Sequence, residues 1–433
     1  MAKGSTLKYK HVCVLGLGYI GLPLASTLAT HGVRVTGVDI NTQIVSKLKN
    51  GELHIYEPGL KALVEQALNS GELIISDEVV AADAFIIAVP TPITPDKQAD
   101  LEAVKSAAAS IIPHLKKGNL VMLESTSPPR TTVDIVAPIL EGSGLKAGQD
   151  FLLAYTPERV LPGQIIKELT TNPRVIGGVN EASTKAGKIL YKTFVTGEII
   201  LTDATTAEMV KLMENTTRDV NIAIANEFAR LADKFGVDVW EAISIANRHP
   251  RINILRPGPG VGGHCISVDP WFLVEAAPEI AQLIRTARQV NDAQPAFAFR
   301  VIEQGLGNLI GKRVAVLGLA FKPNVDDLRE SPAIEIARLI QEGGATLTAY
   351  EPFKQDLEMD DFALAHSLEE TLAEADMIVL LVAHTQFCDL DPQQVAKLMP
   401  GRLAVDTVGC WDPARWREAG FTLTRLGVGK ASV

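Results

Sequence analysis

Cysteine is scarce in this chain, with four in 433 residues (Cys13, Cys265, Cys388 and Cys410) and no CxxC pair among them. That scatter suggests neither a zinc site nor a disulfide framework. The eight histidines fall in no HxH or HExxH pattern, so no metal is expected. A net basic charge is lacking as well. The formal charge is -10 and the isoelectric point about 5.4, a balance that disfavours nucleic acid but allows a local pocket for a small anion. Low-complexity segments are missing, and so is a charge-flanked run of about 20 apolar residues. The apolar stretch "HVCVLGLGYIGLPLASTLATHG" is read neither as a signal peptide nor as a membrane span. Its Gly16, Gly18, Gly21 and Pro23 fall where a strand–turn–helix unit needs them. A reducing cytoplasm, without membrane attachment, is the expected compartment.

What is present suits a globular enzyme of two or three domains: 47% hydrophobic and 21% charged residues. From Lys10 to Asp39 the pattern reads strand, glycine turn, helix, Gly32, strand. Short β-rich runs at Ala84–Val89, Leu120–Leu123 and Phe151–Ala154 alternate with helical stretches such as Leu101–Leu115. This is the signature of a doubly wound parallel sheet. One long helix follows from about Thr205 to Ala232, then shorter ones through Ala246 and another from Ile280 to about Gly305, with no strand candidate between. "KRVAVLGLAFKP", "SPAIEIARLIQEGG" and "ATLTAYEP" then echo the opening unit, with Glu351 standing where Asp39 stands. Met377–Val382 and Leu403–Asp406 complete a smaller sheet. The expected fold is α/β: two Rossmann-like doubly wound parallel-sheet domains, 1–204 and 306–433, joined by a central all-helical domain at 205–305. Only Met1–Lys8 reads as a loose tail.

"GLGYIG" matches GxGxxG between a predicted strand and helix, and Asp39 ends the next strand 23 residues after Gly16. Small residues there let a pyrophosphate approach the helix N-terminus, while the acid accepts from ribose hydroxyls. The acid would repel a 2′-phosphate, so NAD is expected rather than NADP. The second copy has Phe321, Lys322 and Pro323 in place of glycines. It suggests a different anion, with Lys322 and Arg329 as partners, or simply a solvated charged loop.

"GPGVGGHCISVDPWF" places Cys265 after a glycine cluster and Asp269 four residues later. A lone cysteine is more often a small buried hydrophobe, but Gly260, Gly262 and Gly263 would let a ligand or a second backbone come close. On the long helix Lys211, Asn215 and Arg218 share one face at i, i+4, i+7. Apolar residues on several other sides, among them Met213 and Ile224, point to a helix buried nearly all round, with the polar stripe lining a cavity. A nicotinamide, a thiol and a lysine fit one chemistry. The thiolate adds to an aldehyde, the adduct is oxidised to a thioester, and water releases an acid, with the lysine stabilising the oxyanion.

Several ordered motifs carry a wider match: "GLGYIGLPLA", "VPTPITPD", "ESTSPP", "TPERVLPG", "AEMVKLMENTTRDVNIAIANE", "RHPRINIL", "GPGVGGHC" and "GLAFKPNVDDLRESPA". Over nearly its whole length the chain resembles the UDP-glucose/GDP-mannose dehydrogenase family. "PERVLPGQ", "ANRHPR" and "GHCISVDPWF" are most similar to the bacterial branch that handles UDP-N-acetyl-D-mannosamine for surface polysaccharides. The resemblance implies a thioester nucleophile at Cys265 and an oxyanion site at Lys211 and Asn215. Asp269 and Glu158 would assist lysine positioning and water activation, and Thr126 would sit by the nicotinamide. Gly16, Gly18, Tyr19, Ile20, Gly21, Asp39 and Thr91 would hold NAD, with Arg329 at the cofactor–substrate junction. Arg159, Val160, Lys211, Asn215, Arg218, Gly262, Phe321 and Lys322 would contact the nucleotide sugar. His249 and Arg251 would reach the neighbouring subunit's substrate, which implies a homodimer.

Two departures, Pro162 for a glutamate and Val268 for a lysine, argue against UDP-glucose. Val408 stands where many relatives carry a basic residue, which puts a cofactor contact there in doubt. The implied reaction is a four-electron oxidation of the C6 alcohol of a UDP-N-acetylhexosamine, with the manno epimer first and the gluco epimer the nearest rival. A two-electron hydroxy-acid dehydrogenase would share the Rossmann domain and the helix-borne lysine but would not need Cys265. A nucleotide-sugar sensor would bind without turnover.

Overall fold

Eight strands build the first sheet of the computed structural model: β1 (His11–Leu15), β2 (Arg34–Val38), β3 (Leu73–Ser76), β4 (Ala84–Ile87), β5 (Leu120–Leu123), β6 (Leu152–Tyr155), β7 (Arg174–Gly178) and β8 (Ile199–Asp203). Their spatial order is β3-β2-β1-β4-β5-β6-β7-β8. Adjacent strands run parallel except β6 and β7, which pair antiparallel through Ala154 and Tyr155 against Gly178 and Gly177. The central strands are apolar without alternation, as in "AFII" and "LVML", because helices cover both faces. The order reverses between β1 and β4, the switch point at which doubly wound sheets bind ligands.

A second sheet holds β9 (Arg313–Leu317), β10 (Thr346–Tyr350), β11 (Ala363–Leu364), β12 (Met377–Leu380), β13 (Leu403–Asp406) and β14 (Thr422–Arg425), in the order β11-β10-β9-β12-β13-β14. The echo seen in the sequence is real in the backbone. Gly16 after β1 has φ +94° and donates to the Val38 carbonyl, and Gly318 after β9 has φ +89° and donates to the Tyr350 carbonyl.

The structure describes residues 8–161, 163–354 and 356–429. Residues 1–7 of the expected tail, and Pro162, lie outside them. The chain separates into two compact units, one reaching Glu214 and including Glu275–Pro278, the other formed by Asn215–Val274 and the chain from Glu279 onward. Among the described residues no helix is long and apolar enough to cross a membrane.

The long helix spans Ala204–Phe235, 32 residues that cross the boundary between the units. It is not buried nearly all round. Met213 is exposed, and Ile224, Phe228, Leu231 and Phe235 form an exposed apolar stripe at i, i+4, i+7, i+11. The opposite face of its second half carries buried polar groups instead. Asp219 accepts from Arg288 at 2.5 Å and from Asn291 at 2.8 Å, and Asn226 donates to Asn291 at 2.9 Å. The single helix expected from Ile280 is two, Gln282–Asp292 and Gln294–Leu306. Pro295 sits in the first turn of the latter, where its missing N–H costs nothing, whereas a continuous helix would lose a bond and meet its ring.

Cys388 and Cys410 form a disulfide, contrary to the sequence expectation, with Cα atoms 5.4 Å apart. They come together because each follows one of two adjacent parallel strands, β12 and β13, at the same end.

Candidate active site

In the first unit, the three glycines of the first turn have two different jobs. A Cβ on Gly16 would lie 2.5 Å from the Ala88 carbonyl oxygen, just beyond β4, and one on Gly21 would lie 1.8 Å from the Gly16 oxygen. Both are forced by packing. Gly18 faces open space, the side from which a pyrophosphate would come. The following helix, Gly21–Thr30, has no side-chain cap at Ile20; Leu22 N already donates to the Gly18 carbonyl at 3.1 Å and Pro23 has no N–H, so an anion there would be drawn chiefly by the helix dipole. Asp39 at the end of β2 is braced in two directions: it accepts from Leu17 N and Asn41 N, both at 2.9 Å. A pocket lined by Gly16, Val38, Asp39, Asp77, Glu78 and His114 opens beside the turn. Three acids at its wall fit a ribose with free hydroxyls and disfavour a 2′-phosphate. Tyr19 and Ile20 are half-buried in this turn.

The loops after β4 and β5 meet where Thr91 Oγ1 donates to the Thr126 carbonyl at 2.6 Å. Glu158, beyond β6, is buried. Its Oε2 accepts from Arg174 at 2.9 Å and its Oε1 from Arg159 N at 2.6 Å. Arg174 also reaches Glu124 at 2.8 Å, and Tyr191 donates to Glu124 at 2.6 Å. Glu124, Arg174 and Tyr191 escaped the sequence reading. The only signals were an acid closing an apolar strand in "VMLES" and an arginine opening another in "RVIGG". The Arg159 guanidinium pairs with Glu214 at 2.5 Å, on the Lys211 helix; Val160 is half-buried beside it.

In the second unit, Cys265 is exposed in the turn that leads into the Asp269–Ala276 helix. The buried Asp269 donates its backbone N–H to the Cys265 carbonyl at 2.8 Å, and its carboxylate accepts from Asn215 Nδ2 at 2.5 Å. An acid and an oriented amide are thus tied to the backbone of the cysteine. The glycines before it are also required by packing. Added Cβ atoms would meet Pro332 at 2.7 Å from Gly260, the Glu330 carbonyl oxygen at 2.4 Å from Gly262, and the Phe321 ring at 2.7 Å from Gly263. The space is taken by a backbone carbonyl at Gly262 and by side chains at Gly260 and Gly263. The loop is also tied at its start, where Gly258 N donates to Asn226 at 3.0 Å and Gln294 donates to Gly258 O at 2.9 Å.

The 321–330 segment against which this loop packs carries the half-buried Lys322, and Arg329 paired with Asp327 at 2.6 Å. Its turn is filled from within. Glu351 accepts from Leu319 N at 2.8 Å, Ala320 N at 2.9 Å and His384 Nε2 at 3.1 Å. Burial alone would raise the Glu351 carboxyl, but His384 and the amides hold it below its ordinary value. Arg218, His249 and Arg251 are exposed, whereas Lys211 and Asn215 are half-buried. Val408 N donates to Asp406 at 2.9 Å, in a loop end shaped by that acid. Val268 is buried next to Asp269.

Profiles of the UDP-glucose/GDP-mannose dehydrogenase family match the chain three times: its NAD binding domain over residues 10–195, its central domain over 205–293 and its UDP binding domain over 315–413. A UDP-N-acetyl-D-mannosamine dehydrogenase of Methanococcus maripaludis is 46% identical over 99% of this chain and 100% of its own. An NDP-N-acetyl-D-galactosaminuronic acid dehydrogenase of Ralstonia solanacearum is 47% identical, covering 96% and 99%. The solved UDP-D-ManNAc dehydrogenase of Pyrococcus horikoshii superposes with a TM-score of 0.90 at 40% identity, over 97% of this chain and 99% of that one.

Proposed function

Because the chain belongs to the UDP-glucose/GDP-mannose dehydrogenase family and is an NAD-dependent UDP-sugar dehydrogenase, we propose that it oxidises UDP-N-acetyl-D-mannosamine at C6 to UDP-N-acetyl-D-mannosaminuronate. NAD held at the first turn would supply the hydride acceptor, one molecule for each of the two oxidations. The chain's own residues manage the carbon between them. Cys265 attacks the aldehyde, and Lys211 and Asn215 hold the oxygen as it gains charge. After the second oxidation the sugar is a thioester. Glu158, with Thr126, then takes a proton from a water as its oxygen bonds to the carbonyl carbon, and the C–S bond breaks to return the thiolate. Asp269 keeps Asn215 in place throughout. The observation that carries the thioester reading is the Asn215–Asp269 bond at 2.5 Å, next to the exposed Cys265.

Gly16, Gly18, Tyr19, Ile20, Gly21, Asp39 and Thr91 hold NAD on this reading, with Arg329 at the junction with the sugar nucleotide. Arg159, Val160, Arg218, Gly262, Phe321 and Lys322 hold the sugar nucleotide. The exposed apolar stripe of the long helix, which is continued by Val237 and Ile245, supports a homodimer on this reading. The exposed His249 and Arg251 would serve the partner's substrate. Leu231→Asp should yield monomers by light scattering, and persistence of dimers would refute this surface.

The same reaction on another UDP-N-acetylhexosamine is favoured by the Ralstonia relative, which is as similar as the mannosamine enzymes. Incubation with NAD and UDP-glucose, UDP-GlcNAc, UDP-ManNAc or UDP-GalNAc separates the cases. About two NADH per sugar are expected, fastest with UDP-ManNAc, and Cys265→Ser should stop the reaction short of the acid. One NADH per sugar at completion, or acid formation without the thiol, would overturn the mechanism.

A further inference from the structure

We propose that Arg174 is a positioning residue that aims the Glu158 carboxylate at the hydrolytic water, and that Glu124 and Tyr191 are the counterweight that holds Arg174. The inference rests on the assignment of water activation to Glu158. Four separate elements converge here, which a mere surface pair would not need. Glu158 follows β6, Arg174 opens the antiparallel neighbour β7, Glu124 follows β5, and Tyr191 ends the Glu181–Tyr191 helix. All four side chains are buried. One guanidinium is shared, with Nη1 on Glu124 at 2.8 Å and Nη2 on Glu158 at 2.9 Å. The Arg174 guanidinium lies 5.0 Å from the centre of the Tyr191 ring, whose hydroxyl closes the far side of Glu124.

Two buried carboxylates with one cation leave an excess negative charge, which a low-dielectric site resists. One proton on the pair relieves it. Burial, first, and the neighbouring Glu158 push Glu124 up to about 7, against the pull of Arg174 and the Tyr191 hydrogen bond. Arg159 gives Glu158 only its backbone N–H, because its guanidinium is held by Glu214 and the Pro173 carbonyl. When Glu158 takes the proton of the attacking water, that proton removes the excess negative charge, and Arg174 is left to balance the one remaining carboxylate, Glu124. Arginine's rigid fork is what allows one side chain to serve two acids, and lysine lacks it.

The test uses the full-length enzyme with NAD and UDP-N-acetyl-D-mannosamine, followed by stopped-flow NADH formation and intact mass of the protein. Arg174→Lys should keep a burst of about two NADH per site. Later turnover should slow about tenfold or more, with the acyl adduct accumulating on Cys265. Glu124→Gln keeps acceptors for Arg174 and Tyr191 but removes a negative neighbour. The pair then loses the carboxyl that burial pushes up, and the acid limb of the turnover profile should move down by about half a pH unit or more. An equal slowing of burst and later turnover in Arg174→Lys, or an unmoved acid limb in Glu124→Gln, overturns the proposal. The second variant decides the matter if the first does not fold. Glu158→Gln distinguishes the two levels: unchanged hydrolysis there sinks the assignment of Glu158, and this inference with it. Slowed hydrolysis there, with Arg174→Lys behaving like the wild type, sinks this inference alone.

Discussion

At Gly18 and Gly21 the same substitution should do opposite things. Gly18→Ala adds a methyl to open space, so the fold should melt unchanged while NAD affinity falls in a titration. Gly21→Ala drives its methyl to 1.8 Å from the Gly16 oxygen. It should lower stability by about 1–3 kcal/mol in a denaturant melt. Gly262→Ala belongs with the second, because its Cβ would meet the Glu330 carbonyl at 2.4 Å. Residues of this kind show how far a sequence can be read. Asp39 was legible because a glycine turn and a strand fix its place. The purpose of Gly260, Gly262 and Gly263 was not, since the segment they pack against lies some 60 residues later in the chain. Glu124 and Arg174 were silent for the same reason: each looks like an ordinary strand-end charge until its partner is in view.

Among the elements, the long helix was plain in the sequence, and its environment was not. Apolar residues on every side look alike whether they enter a core or await a partner, so the exposed stripe from Ile224 to Phe235 could not be told from buried positions. Its buried polar side offers a sharper test. Arg288 is 1% exposed and holds Asp219 at 2.5 Å. Arg288→Met leaves that carboxylate buried without its cation and should cost about 3–5 kcal/mol in equilibrium unfolding. Because Asn291 and Asn226 link Asp219 to the start of the cysteine loop, the variant should also slow the modification of Cys265 by substrate. Asp219→Asn with Arg288→Met removes both charges and should recover most of the stability. The break at Ala293 is encoded by Pro295, which favours a helix start.

For the molecule as a whole, the repeated strand–turn–helix unit made both sheets legible, and the doubly wound order follows from it. Strands with weak signals, such as β11 and β14, and the antiparallel pairing of β6 with β7 depended on contacts that no local pattern encodes. The Cys388–Cys410 link, 22 residues apart, is another product of sheet order. Replacing both cysteines with alanine should cost about 3 kcal/mol by loop-closure entropy, seen as an earlier melt that dithiothreitol reproduces in the wild type and leaves unaltered in the variant. The second turn has a consequence for redesign. Its acid, Glu351, binds its own backbone and His384, whose Nδ1 accepts from Asn324 N at 2.9 Å. Grafting the glycines of the first turn onto this retired copy would therefore not revive a coenzyme pocket: an engineer would first have to unlock the histidine, and in doing so would loosen the stretch that bears Lys322.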